Sequence, residues 1–468
     1  MGDAESLFSV LRRTAEPGAV AAIAELVANG SDRDLNRVNT LAFARKHDLD
    51  TEHVTAAFLH ASRIGLFEMQ WNVLCPGCGG VLDANASLKT IHQDIYNCSL
   101  CLAGYEPTLD EMVDVNFTVS RRVRKIAAHD PEALTPIEYW RQIFWSTSLD
   151  LPDDLDARFE GFTLEFLELP AGEKAVVSVL LPAAKIVVFE PVSHAAHFIH
   201  VSGEPVTERR NLSIIYNQLS APTGSEEMAP GPVRIAFDNQ NNKRALPSIL
   251  IMGEKIYAIL GNRRPFLTAK RVLSNQTFRD LYRAETLDID QRLKILNLTF
   301  LFTDLKGSTK FYERVGDIAA YDLVKDHFHV LHEIVADESG AVVKTIGDAV
   351  MATFSTPEDA IAAALRMREG MQRLNDERGH EDLLLKIGIH EGPCLAVNFN
   401  DRQDYFGQTV NIASRVQNLA DSSAIFATGP VVENPRSAEL LEKAGLIPKP
   451  QQIQLRGVTE RVKIYEIP

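Results

Sequence analysis

Four stretches of distinct hydrophobic pattern follow one another along this chain. Across residues 35–66 apolar positions recur at spacings of three and four, and Thr51-Glu-His-Val-Thr-Ala-Ala-Phe-Leu-His60 joins a capping candidate to an apolar helical face. Gly65 then leads into the strand-like Leu66-Phe67-Glu-Met-Gln-Trp71, so the region predicts two or three short helices followed by a strand. Between about residues 159 and 260 the period shortens. Runs such as Val176-Val-Ser-Val-Leu-Leu181, Ile186-Val-Val-Phe189, Val233-Arg-Ile-Ala-Phe237 and Ile249-Leu-Ile-Met252 alternate with turns rich in Gly, Pro and Asn, which predicts a central antiparallel β-sandwich. Residues 267–290 return to a helical period, with Leu273, Phe278, Leu281 and Tyr282 near one face. This is a coupling helix that pairs across a dimer, or a plain linker. Past Leu296, the β-rich Leu298-Thr-Phe-Leu-Phe302 precedes two long amphipathic helices over residues 317–338 and 357–375, the first closed by Gly340 and the second opened by Pro357-Glu358-Asp359. The last part is therefore expected to be α+β, with a mixed or antiparallel sheet covered on one face by helices.

The rhythms divide a multidomain chain at 1–72, 73–110, 111–158, 159–265, 266–294 and 295–468. Residues 1–72 are helical, and their helix, turn, helix and strand order resembles a winged helix. Such modules bind DNA or proteins, but residues 51–63 carry one Glu, one Arg and no basic run, so a protein-facing or intramolecular role is expected. In 73–110, Cys75-Pro-Gly-Cys78 and Cys98-Ser-Leu-Cys101 stand nineteen residues apart, the spacing of a zinc ribbon in which four thiolates hold a structural Zn²⁺. Four unligated thiols, or a redox switch, are the other readings. Residues 111–158 form a helical connector. His194, His197 and His200 are spaced at three, which in a strand turns them to opposite sides, so packing and surface use are expected rather than a metal or pH-sensing cluster. Cys394 stands alone as a small core residue.

Composition narrows the function classes. At 468 residues there is length for two or three domains with real cores. The most apolar window, residues 175–190, is broken by Pro182 and Lys185, and nothing nears the roughly 18 uninterrupted apolar residues of a membrane span. Met1-Gly-Asp-Ala-Glu-Ser lacks a signal peptide's basic start and apolar core, so a cytoplasmic location is expected. A net charge of −15 argues against a nucleic-acid-coating role, which needs a basic face.

Candidate chemistry collects in the last domain. Asp304, in Phe302-Thr-Asp-Leu-Lys-Gly-Ser-Thr309, ends a strand-like run, and Asp348, in Lys344-Thr-Ile-Gly-Asp-Ala-Val-Met351, sits at the tip of a predicted hairpin. If their strands are neighbours, both carboxylates leave one edge of one sheet. Hard oxygen ligands without Cys or His nearby suit Mg²⁺ or Mn²⁺ carrying substrate phosphates. Further on, Asp404-Tyr-Phe-Gly-Gln-Thr-Val-Asn-Ile-Ala-Ser-Arg415 places Asn411 and Arg415 at i, i+4 of a helix after Gly407, hence on one face. A Walker loop is absent, so phosphates must be held by metals and side chains.

In this order, these motifs resemble the class III nucleotidyl cyclases from about Leu296 to Pro468, and the region before resembles the uncharacterised domain that precedes many bacterial cyclases. The resemblance implies a ferredoxin-like core and an adenylate cyclase, a lyase that forms 3′,5′-cyclic AMP and pyrophosphate from ATP. Asp304, Leu305 and Asp348 would hold two Mg²⁺ or Mn²⁺ ions per active site. Asn411 would orient the ribose and Arg415 would stabilise charge on the phosphorane-like transition state. Lys344 and Asp404 stand where adenylate-forming members contact adenine and where guanylate-forming members typically have Glu and Cys. Lys386, in Leu385-Lys-Ile-Gly-Ile-His390, replaces an Arg common in the family, so it meets a triphosphate as a point charge. Arg456, in Leu455-Arg456-Gly457, resembles another phosphate-contacting cation. The family draws metals from one subunit and the base pair, Asn and Arg from the facing one, which implies a homodimer with two composite sites and an N-terminal region answering to an unknown regulator. Two alternatives remain: a nucleotide-binding homologue that signals by dimerisation without turnover, and a transcription regulator built on the winged helix and zinc ribbon.

Overall fold

The computed structural model describes residues 2–217, 223–282, 287, 291–306, 316–378, 384–399, 402–420 and 424–468. The chain forms two compact units and passes between them more than once: Met1–Ala86, Gln93–Pro107 and Glu111–Leu267 make the first, and Ser87–His92, Thr108–Asp110 and Thr268–Pro468 the second.

In the first unit α1 (Gly2–Leu11), α2 (Pro17–Asn29), α3 (Thr40–His47) and α4 (Thr51–Arg63) precede β1 (Phe67–Leu74). Asp50 caps α4 by accepting from the His53 N–H at 2.9 Å. β1 pairs antiparallel with β2 (Val81–Asn85) and β5 (Val113–Val119), and a small hairpin of β3 (Tyr96–Cys98) and β4 (Ala103–Tyr105) lies between them in sequence.

Two further sheets follow, built from β6 (Thr163–Phe166), β7 (Lys174–Leu181), β8 (Lys185–Glu190), β9 (Ala195–Val201), β10 (Arg210–Tyr216), β11 (Thr223–Met228), β12 (Gly231–Asn239) and β13 (Ser248–Met252). Their orders are β10-β12-β7 and β11-β9-β8-β13-β6. Val179, Val188, Ile199, Ile214, Ile235 and Ile249 meet in the apolar layer the two sheets share. The sandwich is not purely antiparallel, as alternation suggested. β10 runs parallel to β12, and β11 parallel to β9. Alternation reports which face is buried and is blind to strand direction. Since β11 belongs to the opposite sheet, the chain leaving β10 comes back in β12 with its direction restored.

The coupling helix expected over residues 267–290 is also revised. Two short helices stand there, α5 (Ala269–Leu273) and α6 (Gln276–Leu281). Asn275 breaks the run, because its side chain accepts from the Phe278 N–H at 3.1 Å and caps a new helix. Residues 283–286 and 288–290, the rest of that expectation, lie outside the described residues.

The second unit carries a mixed sheet of β14 (Leu293–Leu305), β15 (Gly340–Ile346), β16 (Ala349–Phe354), β17 (Leu385–Phe399), β18 (Arg402–Phe406), β19 (Ile425–Thr428), β20 (Lys449–Ile453) and β21 (Val462–Ile467). The order is β15-β16-β14-β17-β19-β21-β20, with β18 beside β17. Between β14 and β17 in sequence come α7 (Asp317–Asp337) and α8 (Pro357–Arg378), whose Leu331, Val335, Ile361 and Met367 share a core with Leu301, Ala352 and Ile389 of the sheet. Ser339, at φ 60°, takes the left-handed turn after α7, and Gly340 already belongs to β15. Short earlier segments complete this unit. Leu109 N–H donates to the Lys294 carbonyl at 2.9 Å, Asp110 accepts from the Leu296 N–H at 2.5 Å, and the Gln291 side chain donates to the Leu88 and Ile91 carbonyls at 2.9 and 2.7 Å. Among the described residues, no helix is long and apolar enough to cross a membrane.

α9 (Gln408–Gln417) packs directly onto β17, where a Cβ at Gly388 would fall 2.1 Å from the Gln417 backbone nitrogen. Gly388→Ala must therefore push the helix off the sheet. Its expected cost is about 1–3 kcal/mol, as for other overpacked sites, read as an earlier denaturant transition of this unit.

Candidate active site

β14 lies between β16 and β17, and both ladders fix its last residues. Phe302 stands opposite Met351, and Asp304 opposite Lys386. Just before Met351, β15 and β16 join through a two-residue loop, Gly347-Asp348, with Ile346 opposite Ala349. Such loops need positive φ at their first position, and Gly347 supplies 65°. Thr303 Oγ1 accepts from the Val350 N–H at 3.1 Å and ties this hairpin to β14. Asp304 and Asp348 thereby come to the same end of the sheet. Leu305, the next residue, is buried.

The electrostatics of the pair follow from this crowding. Burial first, and the Asp348 charge second, push the Asp304 carboxyl above its ordinary range, while Lys386, with its Nζ 4.0 Å from Oδ2, pulls it down. Asp348 Oδ2 is buried and has no hydrogen-bond partner among the described residues. Two like-charged carboxylates, one with an unsatisfied oxygen, form a donor set that fits a hard divalent cation.

A second cluster joins Lys344 on β15 to Asp404 on β18, Nζ to Oδ2 at 2.5 Å. The Tyr405 N–H donates to the other carboxylate oxygen at 2.8 Å and fixes its orientation. Asp404 is 13% exposed and Lys344 41%, so the pair opens to solvent from the lysine side. A third cluster lies on α9, where Asn411 is exposed and Arg415 half-buried one turn later. The Arg415 guanidinium nitrogens are 3.5 Å from where a Cβ on Gly457 would stand, so the turn after exposed Arg456 lies against them. Lys386 is grouped with Asp304 and not with this cationic corner.

Sequence reasoning missed the support beneath Asp348. His327, in the middle of α7, is fully buried, has its Nδ1 3.2 Å from Met371 Sδ, and contacts the Asp348 backbone. Burial depresses its pKa to about 4, so the ring is neutral at pH 7. One histidine on an apolar helical face carries no signal beyond core packing.

In the first unit, the Cys75 and Cys101 Sγ atoms are 3.6 Å apart, those of Cys78 and Cys98 are 3.7 Å apart, and all four lie within 4.8 Å of one another. Four thiolates about 2.3 Å from a tetrahedral ion would be about 3.8 Å apart. The cluster could thus hold a metal ion.

Residues 1–280 match the family of unknown function DUF5939, and residues 292–466 match the adenylate and guanylate cyclase catalytic domain. An adenylate cyclase of Anabaena cylindrica is 31% identical over 185 residues, which are 36% of this chain and 36% of that protein. Adenylate cyclase 1 of Rhizobium meliloti (strain 1021) is 25% identical over 186 residues, 36% of this chain and 27% of the relative. The chain thus spans roughly a third of the length of these curated relatives. Among solved structures, the adenylyl cyclase CyaB from P. aeruginosa aligns with 38% of this chain and 96% of its own, at 23% identity and a TM-score of 0.35.

In metal-free protein, Asp348→Asn should lower the Asp304 pKa without restoring its ordinary value, since burial persists, and Lys386→Ala should raise it. A carboxyl-carbon NMR titration reads both shifts. An Asp304 signal indifferent to Asp348→Asn would mean that the two carboxylates do not sense each other.

Proposed function

We propose, from the premise that this chain belongs to the DUF5939 family through residues 1–280 and carries an adenylate and guanylate cyclase catalytic domain at residues 292–466, that it is an adenylate cyclase. The observation that carries the choice of nucleotide is the Lys344–Asp404 pair. An ammonium donates to an adenine ring nitrogen, and a carboxylate accepts from its exocyclic amine. Guanine presents a carbonyl oxygen and a ring N–H at the corresponding edge, so both partners would be mismatched and left unpaired in a half-buried site.

In the reaction, the ribose 3′-oxygen bonds to its own α-phosphorus, and the bond from that phosphorus to the departing pyrophosphate breaks. Asp304, Leu305 and Asp348 would hold two Mg²⁺ or Mn²⁺ ions. Such ions, when bound, acidify the 3′-hydroxyl and neutralise phosphate charge. Asn411 orients the ribose, and Arg415 faces the charge that develops at the α-phosphate. Lys386 and Arg456 add cationic contacts to the phosphates, Lys386 from beside Asp304. The carboxylates of one protomer act with the purine pair, Asn411 and Arg415 of the other, which gives a symmetric homodimer with two composite sites. The region before the catalytic domain is regulatory, and Cys75, Cys78, Cys98 and Cys101 bind a structural Zn²⁺. Their sulfur spacing supports that reading over a redox pair.

Purified chain given ATP with Mg²⁺ or Mn²⁺ should release cyclic AMP, with GTP a poor substrate. Asp348→Ala should abolish release, and Arg415→Ala should slow it by on the order of 10³-fold, the scale of a lost arginine finger. Absence of product with either nucleotide would favour a nucleotide-binding homologue without turnover. Elemental analysis should find one zinc per chain, lost in Cys98→Ser together with a lower unfolding temperature. Zinc-free protein of unaltered stability would remove the structural role.

A further inference from the structure

α6 ends the stretch that leads into the catalytic domain, and its polar side chains reach the strands bearing the purine pair. Gln276 and Arg279, at i, i+3, share one helical face. Gln276 Oε1 accepts from the Val342 N–H at 2.8 Å. Arg279 Nη2 has two hydrogens and spends them on two strands, donating to the Val343 carbonyl at 3.3 Å and to the Gln403 carbonyl at 3.0 Å. Those carbonyls immediately precede Lys344 and Asp404.

Both carbonyls come from places where the sheet does not hold its own geometry. The β15/β16 register passes from Val342 opposite Ala352 to Lys344 opposite Met351, so Val343 is an inserted bulge residue. Bulges re-aim the neighbouring side chain and leave a backbone group outside the ladder. β18 pairs with β17 alone among the described residues, and β16, β14 and β17 separate it from β15 in sheet order. The strands that carry Lys344 and Asp404 are therefore not each other's ladder partners. Arg279 bridges them, and the Tyr405 hydroxyl adds a bond to the Leu273 carbonyl at 3.3 Å. A cavity of about 300 Å³ beside the bridge is lined by Arg279, Tyr282, His332, Val342, Arg402 and Gln403. Removing the guanidinium would enlarge this polar space and leave the apolar core intact.

We propose that Arg279 is a positioning residue for base selection: by binding the Val343 and Gln403 carbonyls it sets the spacing of Lys344 and Asp404, and with it the preference for ATP over GTP. The inference rests on the reading of that pair as the adenine contact. It places a determinant of nucleotide choice in the last residues of the DUF5939 match, outside the catalytic-domain match.

Arg279→Met keeps the packing of the stem and removes the donors, and Arg279→Lys restores a cation. With full-length chain and Mn²⁺, Arg279→Met should lower the ATP-to-GTP ratio of kcat/KM by about tenfold, the scale of one lost charge-assisted hydrogen bond. The change should appear mainly as a higher KM for ATP, with kcat at saturation near that of wild type, and Arg279→Lys should recover part of it. Should Arg279→Met not fold, the ratio is read from Arg279→Lys, which must then fall between one and ten times below wild type. A ratio lost in Lys344→Glu but unchanged in the Arg279 variants overturns the bridge alone, as does a fall confined to kcat. A wild-type chain without preference, or a preference that survives Lys344→Glu, overturns the adenine reading and the bridge with it.

Discussion

The register of β14 is the constraint on which the second unit depends. Its residues alternate between a face packed under the helices, where Leu301 and Leu305 lie, and the opposite face, where Phe300 meets Tyr405 and Asp304 follows at the next even position but one. A slip of one residue would exchange the faces, burying Asp304 under α7 and α8 and turning leucines outward. Pairing with β16 and β17 at once forbids the slip. Once β14 is fixed, Lys386 and the Asp348 loop are placed by pairing alone, and Gly388 lets α9 settle against β17.

The charges at that end are arranged to be incomplete. Among the described residues, Asp304 is only partly answered by Lys386 at 4.0 Å, and one oxygen of Asp348 has no hydrogen-bond partner. Lys344 and Asp404, by contrast, satisfy each other. In the proposed adenine reading, an incoming base replaces that mutual bond with two of its own. A base with the wrong donor pattern gains neither bond and breaks one. The carboxylate pair works the other way, because any counter-cation relieves a repulsion already present.

Much of this site was legible in the sequence because its chemistry is bound to local geometry. A strand ending in Thr-Asp, a Gly-Asp hairpin and an Asn and Arg one helical turn apart each state their own conformation, and Cys-x-x-Cys pairs state a spacing. What stayed hidden depends on partners distant in sequence. His327 looked like any core residue until α7 was laid under the Asp348 loop. Arg279 carries no local signal, because its acceptors are 64 and 124 residues further on. Strand direction in the sandwich was unreadable because parallel and antiparallel strands bury the same alternation. The break at Asn275 was written as a capping residue, but it was overridden by the apolar period running across it.

The hydrogen bonds of residues 87–92 and 108–110 to residues 291–297 have a genetic consequence. The chain crosses between its two compact units five times, at 86/87, 92/93, 107/108, 110/111 and 267/268. A gene fragment that starts at the catalytic-domain boundary leaves behind the carboxylate of Asp110 and the carbonyls of Leu88 and Ile91, which the Leu296 N–H and the Gln291 side chain use. The two parts are interleaved and not strung in series. Recombination at a single point would separate Gln291 and Leu296 from the acceptors that they use here.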